Sequence, residues 1–387
     1  MSDGWTTPSS PSPNLATALA FMKALDEWDE EALEKTLDET LEHRILPKSL
    51  MRPVLTKSLY LSAYIHGIAE MFNAPGSSKP KSKLQRTIHE VIEMEDTIVI
   101  HASAKGTSVT GTSYEQEYMY VLRFTASTTG DPNERKIKSV KEFCDSSASK
   151  GFFPAERKRL ADAKAAQYTT ARPRAETLGT NGRRSGHSSN RMSRLEPSPS
   201  RFAYLYHPLL YIPAYSTRCP HFLRPSALKM PYKLGPDASA NACVFQAWLQ
   251  GLENWDLESI MAVFDDTLIQ QVLPASLGRP AMSKKDYEAY FGGVIPLFAD
   301  FEVTVHDFTE KDDKIIIHAS SVGHSRLETP YANEYVVYFD FCESTTGGGE
   351  RKICRMREFV DSAYSKEWFA QERIKLAEQA GGKGKKA

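Results

Sequence analysis

The chain contains the same domain twice. The segment 101–106 reads HASAKG, and the segment 318–323 reads HASSVG. Other motifs recur around this segment in the same order. They are Trp28-Asp29 and Trp255-Asp256, Leu46-Pro47 and Leu273-Pro274, Ser49-Leu50-x-Arg52-Pro53 and Ser276-Leu277-x-Arg279-Pro280, and Glu142-Phe143-x-Asp145-Ser146 and Glu358-Phe359-x-Asp361-Ser362. A repeat of this length is a whole domain, because solenoid units are only ~20–50 residues long.

Equivalent residues lie 227 positions apart early in the repeat and 216 or 217 positions apart later. The first copy therefore has about ten extra residues in one loop. Each copy is long enough to bury its own core. Positions identical in both copies point to shared architecture or shared chemistry.

Changes in composition divide the 387 residues into five parts. The predicted parts are a disordered Ser/Pro-rich N-terminus at 1–14, repeat 1 at 15–167, a Pro-rich basic linker at 168–237, repeat 2 at 238–380 and a Gly/Lys tail at 381–387.

The linker differs from both repeats. Residues 171–236 hold nine of the 22 prolines, and eleven Lys or Arg against two Glu. Their first half is typical of a flexible polar segment. The aromatic stretch 202–213 is broken by prolines and has no clear period. A docking arm, a basic nucleic-acid patch and an unstructured linker remain open. So does translated sequence between two adjacent genes, with a second start at Met230.

Charge and cysteine usage indicate a cytoplasmic protein. The net charge of −1 does not favour nucleic acid or a membrane as partner. None of the five cysteines occupies the same position in both copies, so we expect free thiols rather than a disulfide framework. Neither a secretory signal nor a membrane-spanning apolar stretch is visible.

Both copies predict an α+β fold in which three helices precede a curved meander of about four long antiparallel strands. Apolar spacing predicts the helices. Alternation predicts strands at 301–308 and 331–341, and a nearly continuous β-branched run predicts one at 315–320. In repeat 1 the first two predicted helices cover 15–25 and 30–42, and the third begins after Thr56. In repeat 2 the first two cover 244–252 and 257–264, and the third begins after Ser283. A short strand ends at Leu46-Pro47 or Leu273-Pro274, the later strands of repeat 2 cover 301–308, 315–320, 331–341 and 352–360, and Thr-Thr-Gly turns lie at 128–130 and 345–347.

These motifs resemble the SnoaL-like branch of the nuclear transport factor 2-like superfamily, particularly its fungal members. The resemblance rests on the helical Trp-Asp, the HASxxG strand, the segment Pro330-Tyr331-x-Asn333-Glu334-Tyr335 and the terminal Glu-Phe-x-Asp-Ser. It covers both repeats but not the linker. It implies two cone-shaped domains, each with a bent sheet around helices and an apolar pocket. It also implies pairing through the sheets, within the chain or as a homodimer.

His101 and His318 are the first candidates for chemistry in such a pocket. Each follows a run of β-branched residues, so each is expected in a dry environment where a histidine can act as general base. The alternative is a histidine on the outer face of the sheet, bonded to a neighbouring strand.

The adjacent pairs Glu117-Tyr118 and Glu334-Tyr335 are predicted to line the pockets. Because neighbouring strand residues point to opposite faces, only one member of each pair can do so. A tyrosine there would suit enolate stabilisation. The alternative is a tyrosine in the core or at an interface.

The last strand supplies carboxylates. Glu142 and Glu358 are candidates for an acid or base whose pKa burial moves toward neutrality. Asp145 and Asp361 are placed as structural residues, because an Asp-Ser at a strand end is a good cap for the next helix.

Two further pairs are identical in both copies. Arg52 and Arg279 are predicted either to bind an anion or to bond a carboxylate such as Glu142 or Glu358. Trp28 and Trp255 are predicted to line the pockets, with core packing as the alternative.

The predicted function is binding of a small apolar molecule, polyketide- or terpenoid-like, in two pockets. Two alternatives stay open: a cofactor-independent isomerase, cyclase or dehydratase that uses His and carboxylate acid–base chemistry, and a dimerisation scaffold whose pockets are filled. We expect neither a metal nor a cofactor.

Overall fold

The protein is described here by a computed structural model of residues 5–72, 83–125, 134–170, 235 and 237–383. Most of the predicted linker and the turn at 128–130 lie outside these residues. Among the helices described, none is both long and apolar enough to cross a bilayer.

Repeat 1 places helices before and after a five-stranded sheet. Its elements are α1 (Pro13–Glu27), α2 (Glu30–Thr36), β1 (Leu37–Leu46), α3 (Lys57–Leu59), α4 (His66–Phe72), β2 (Gln85–Glu93), β3 (Thr97–Thr107), β4 (Ser113–Thr125), β5 (Lys136–Cys144) and α5 (Ser146–Thr170). A π-helical segment, Tyr60–Ile65, joins α3 to α4.

Repeat 2 has the same plan with one additional short strand. Its elements are α6 (Ala240–Asn254), α7 (Leu257–Ala262), β6 (Phe264–Leu273), β7 (Met282–Ser283), α8 (Lys284–Val294), β8 (Phe298–Lys311), β9 (Lys314–Ser325), β10 (Pro330–Glu343), β11 (Arg351–Val360) and α9 (Ser362–Lys383).

The α+β class with two separate curved sheets is confirmed, but each sheet is mixed rather than wholly antiparallel. The strand orders are β1-β5-β4-β3-β2 and β7-β6-β11-β10-β9-β8. The first long strand of each repeat runs parallel to the last, β1 beside β5 and β6 beside β11. This is possible because helices and at least three strands separate the two partners in sequence, so no hairpin forces them antiparallel. Register shifts at 88–90 and 305–307 bend the outer strands.

The second helix of repeat 1 is shorter than predicted. It ends at Thr36, and β1 begins at Leu37. The prediction of a helix to residue 42 rested on Leu33, Leu37 and Leu41 at spacings of four. A spacing of four is compatible with either structure, because it is one helical turn and also an even number of strand residues.

The repeated Trp-Asp dipeptide ends one helix and begins the next. Trp28 and Trp255 close α1 and α6 in the left-handed conformation, with φ of 54° and 51°. The carboxylates of Asp29 and Asp256 then accept backbone N–H groups of α2 and α7. The dipeptide is therefore a helix-to-helix corner.

Each repeat buries its own core, and a third core forms between the repeats. This inter-repeat cluster contains buried residues of both sheets, including Leu46, Phe143, Leu273, Val336 and Phe359. The two sheets thus form an intramolecular domain pair.

Candidate functional site

Repeat 2 encloses an open-mouthed cavity of about 130 Å³ between its helices and the concave face of its sheet. Its walls are mostly aromatic and aliphatic. Trp255 and Tyr335 line it, together with Ile317 and Val337. The hydroxyl of Tyr335 is held by Ser321 and Tyr331, at 2.7 and 2.8 Å. The cavity therefore has a rigid apolar wall with few polar groups.

Glu358 is the carboxyl group of this cavity. Its side chain lines the cavity and is half-buried. Burial raises its pKa from 4.5 to about 7, while hydrogen bonds from Gln270 and Tyr287 and the charge of Arg279 oppose the rise. The amide of Gln270 donates to Glu358 Oε1 over 3.4 Å. Near neutral pH this carboxyl can therefore both accept and donate a proton.

Arg279 also lines the cavity, at the side where a second open groove joins it. Its guanidinium carbon lies 5.0 Å from the ring centroid of Tyr290, a cation–π contact. It makes no ion pair with a carboxylate of the described residues, so the predicted structural bond to Glu358 is not formed.

The equivalent space in repeat 1 is occupied by side chains. Arg86 stands where repeat 2 has Val303, and it forms a buried ion pair of 2.9 Å with Asp26. Tyr120 stands where repeat 2 has Val337, and its hydroxyl accepts from Arg86 over 3.3 Å. Two small residues that line the cavity in repeat 2 are thus two large ones in repeat 1.

The other predicted pocket residues of repeat 1 are packed in its core. Trp28 is buried and stacks on Phe72, with ring centroids 5.3 Å apart, and Tyr118 is buried in the same cluster. Arg52 is half-buried at the position equivalent to Arg279. The two repeats therefore present the same motifs in different environments.

Glu142 lies inside repeat 1 beside a histidine that the motif search did not select. His43 is fully buried, and its Nε2 is 3.0 Å from Glu142 Oε2, although the geometry is not that of a hydrogen bond. The hydroxyl of Tyr64 donates to the other oxygen over 3.4 Å. Repeat 2 has Gln270 at the position of His43, so the two copies differ next to their shared carboxylate.

The predicted catalytic histidines lie on the opposite face of the sheets from the cavity. On β9, Ile317 and Ala319 face the cavity, so His318 between them faces away. Its Nε2 bonds Glu334 Oε1 at 2.8 Å. The placement of His318 and Glu334 in a pocket is therefore corrected: both lie at the interface between the repeats.

The same correction applies to repeat 1. His101 Nε2 bonds Glu117 Oε1 at 2.7 Å, and Glu117 Oε2 accepts the backbone N–H of Ala275 in repeat 2 over 2.7 Å. Reciprocally, Glu334 Oε2 accepts the backbone N–H of Lys48 in repeat 1 over 2.6 Å. The repeated His and Glu thus link the two domains twice, in one pseudo-twofold arrangement.

The Asp-Ser dipeptides close the same interface. Asp145 and Asp361 cap α5 and α9 by accepting backbone N–H groups. Each carboxylate also accepts the serine hydroxyl of the other repeat, Ser362 to Asp145 at 2.6 Å and Ser146 to Asp361 at 2.5 Å. All four residues are buried.

The glycine of HASxxG is explained by a close approach of strands. A Cβ at Gly323 would lie 2.3 Å from the carbonyl oxygen of Asp300, and one at Gly106 would lie 2.7 Å from Leu84. Only glycine fits there without a shift of β8 or a movement of Leu84. The histidine and the glycine at the two ends of the motif therefore both have structural roles.

Sequence reasoning missed the residues that distinguish the two interiors. Gln270 and Val303 in repeat 2, and His43 and Arg86 in repeat 1, differ between the copies and were never candidates. Tyr287 was assigned only to a helix. A comparison of differences on inward-facing positions would have found them.

Replacing His318 with alanine is expected to destabilise the protein by about 1.5–3 kcal/mol, because Glu334 loses a hydrogen bond while it stays buried. Urea unfolding measures the change. The control is His324→Ala, whose ion pair with Asp300 is exposed and is worth at most about 1 kcal/mol. Equal effects of the two changes would contradict the interface role.

No family model matches the chain. Among curated proteins, Monooxygenase AacuO of Aspergillus aculeatus is 26% identical over 147 residues, 38% of this chain and 88% of that protein. Monooxygenase nsrS of Aspergillus novofumigatus is 28% identical over 130 residues, 30% and 75%. The Ergochrome gene cluster protein of Claviceps purpurea is 26% identical over 140 residues, 34% and 83%. Each match spans about a third of this chain and most of the relative, so one repeat corresponds to nearly a whole relative.

Solved structures give matches of the same extent. BvnE pinacolase from Penicillium brevicompactum has a TM-score of 0.32 and 19% identity, covering 36% of this chain and 96% of that chain. AusH from Aspergillus nidulans has a TM-score of 0.28 and 23% identity, covering 32% and 84%.

Proposed function

We propose that this chain, a tandem of two units with the SnoaL-like fold of the nuclear transport factor 2-like superfamily, binds a small and largely apolar molecule in the cavity of repeat 2. The open cavity beside Trp255, Tyr335 and Glu358 carries this proposal. Its volume is close to the ~150 Å³ at which an apolar protein cavity takes up a benzene ring. The mouth allows a larger ligand to extend outward.

The curated relatives support a secondary-metabolite ligand. The name of one relative places it in an ergochrome gene cluster, and that of another in austinoid biosynthesis clusters. For this chain we infer a polyketide- or terpenoid-like compound with an apolar ring system. Repeat 1 then acts as the structural partner, because Arg86 and Tyr120 occupy the equivalent space.

Filling the cavity is expected to abolish binding. The double change Val303→Arg and Val337→Tyr gives repeat 2 the side chains that close repeat 1, and Glu253 stands where Asp26 pairs with Arg86. We expect 3-phenylpropanamide, a neutral single-ring probe, to bind the full chain and to lose detectable binding in the double variant. Isothermal titration calorimetry measures both affinities.

The matched control adds the same charge outside the cavity. Val322 is 50% exposed on β9, so Val322→Arg is expected to leave the affinity unchanged. If the amide binds the filled variant as tightly as the wild type, the cavity is not its site. If it binds neither protein, the proposal fails.

A second candidate function is a reaction that proceeds by proton transfer at Glu358, such as an isomerisation, cyclisation or dehydration. The observation that favours it is the pKa of about 7 in a cavity that also holds Tyr287. The test incubates fungal metabolite extracts with the wild type and with Glu358→Gln, followed by liquid chromatography and mass spectrometry. A compound that both proteins bind but only the wild type converts supports catalysis. If neither protein converts any compound, catalysis is contradicted and only the binding function remains.

A further inference from the structure

Two arginines lie at the mouth of the repeat 2 cavity. Arg279, Tyr290, Val294 and Phe369 line both the cavity and the surface groove that adjoins it, so they mark where the two join. Arg373 on α9 lines the groove and is exposed. Neither arginine makes an ion pair with a carboxylate of the residues described. Both arginines line the groove from which a molecule would enter the cavity.

The same pair of arginines recurs in repeat 1. Arg52 and Arg157 are equivalent to Arg279 and Arg373, and they too have no ion pair within the described part of the chain. The Nε of Arg157 is buried without a hydrogen-bond partner, and burial and the charge of Arg52 lower its pKa. Two like charges near each other without a counter-ion are unfavourable, so the equivalent pair in repeat 2, where the cavity is open, favours an anion that can complete it.

Acidic groups near the mouth do not cancel the two positive charges. Glu372 lines the groove and is buried, with Oε2 lacking any hydrogen-bond partner. Glu358 lies deeper in the cavity, and its pKa of about 7 leaves it mostly neutral below that pH. Below pH 7 the mouth therefore holds two fixed positive charges against one carboxylate.

We propose that the ligand of repeat 2 is an apolar carboxylic acid, whose ring system lies in the cavity and whose carboxylate lies between Arg279 and Arg373. This inference rests on the proposed function and narrows it to a substrate class. An arginine recognises a carboxylate through charge-assisted, often bidentate, hydrogen bonds, so two arginines at one opening favour that group over a neutral one.

The test compares two probes that differ only in charge, 3-phenylpropionate and 3-phenylpropanamide. Calorimetry on the full chain at pH 6 keeps the probe acid ionised and Glu358 mostly neutral. We expect the carboxylate to bind at least roughly tenfold more tightly than the amide. Arg279→Gln and Arg373→Gln are each expected to weaken carboxylate binding roughly five- to tenfold and to weaken amide binding much less, because the amide carries no charge.

Two further variants sharpen the result. Glu372→Gln removes the one acidic group of the groove, so it is expected to strengthen carboxylate binding severalfold. Arg52→Gln makes the same change as Arg279→Gln in the repeat whose interior is filled. It is expected to leave the affinity for both probes unchanged.

The outcomes separate this inference from the proposed function. If the two probes bind equally well, or if the preference for the carboxylate survives both arginine changes, the proposal of a carboxylic acid ligand is wrong. The proposal that the cavity binds an apolar molecule is unaffected by that result. If Arg52→Gln abolishes the preference for the carboxylate over the amide, the carboxylate site does not lie in repeat 2. Binding of neither probe overturns both proposals.

Discussion

Replacing Phe143 or Phe359 with alanine is expected to lower the free energy of unfolding by about 3–5 kcal/mol, because each is a fully enclosed aromatic side chain. The two residues are equivalent in the two repeats. Their rings meet edge to face with centroids 5.9 Å apart, inside the core that both sheets share. Urea unfolding of each single variant measures the effect.

The double variant tests whether the two repeats support each other. Once one ring is removed, the other has already lost its aromatic partner. We therefore expect the double change to cost less than the sum of the single changes, by about 0.5–1.5 kcal/mol. Ile374→Ala is the control, since that side chain is 59% exposed and its removal should change stability by less than about 0.5 kcal/mol. Additive effects of the two phenylalanines would contradict a shared core.

The two phenylalanines also show why identity between the copies pointed to the interface. In a pseudo-twofold pairing, each copy presents the same surface to the other, so both must keep the same residues. Phe143 and Phe359 meet each other, and the His–Glu pairs reach across in both directions. The repeated motifs were predicted as candidates for chemistry, yet most of their polar residues hold the repeats together.

The cavity, in contrast, depends on residues that differ between the two copies. An open interior in repeat 2 beside a filled one in repeat 1 requires the copies to differ at inward positions, as Val303 differs from Arg86. Such residues are invisible to a search for identical positions. Glu358, Arg279, Tyr335 and Trp255 were found only because they occur in both copies as well.

The strands of repeat 2 could be predicted because apolar residues alternate in 301–308 and 331–341 and because 315–320 is nearly a continuous β-branched run. Burial alternates less than the sequence does, since β9 and β10 are covered on both faces. The limits of the fold prediction have a physical cause. The pairing of β1 beside β5 depends on contacts between distant segments, which no local period records. The end of α2 was misplaced because the spacing of Leu33, Leu37 and Leu41 fits both a helix and a strand.

The second large effect concerns Glu358 and pH. Its folded-state pKa of about 7 is above its ordinary value of 4.5, so the folded protein binds this proton more tightly than the unfolded chain does. Between those two values the native state holds more protons, and stability falls as the pH rises. The shift corresponds to at most about 3 kcal/mol, since one pKa unit is ~1.4 kcal/mol and the side chain is reached from the cavity.

Glu358→Gln isolates this contribution, because glutamine keeps the shape of the protonated acid and cannot ionise. We expect the wild type and the variant to have similar stabilities near pH 4.5. From there to pH 8 the variant should gain up to about 3 kcal/mol relative to the wild type. Urea unfolding of both proteins at pH 4.5, 6 and 8 measures the difference, in which the titration of all other groups cancels.

The pH course of that difference also bears on function. Glu288→Gln, on the exposed side of α8, controls for the loss of one carboxyl. A difference between wild type and Glu358→Gln that stays constant across this range would contradict the raised pKa, and with it the case for proton transfer in the cavity. A difference that grows between pH 4.5 and 7 would show a carboxyl that changes its protonation near neutrality inside an apolar site, which acid–base chemistry on a bound ligand requires.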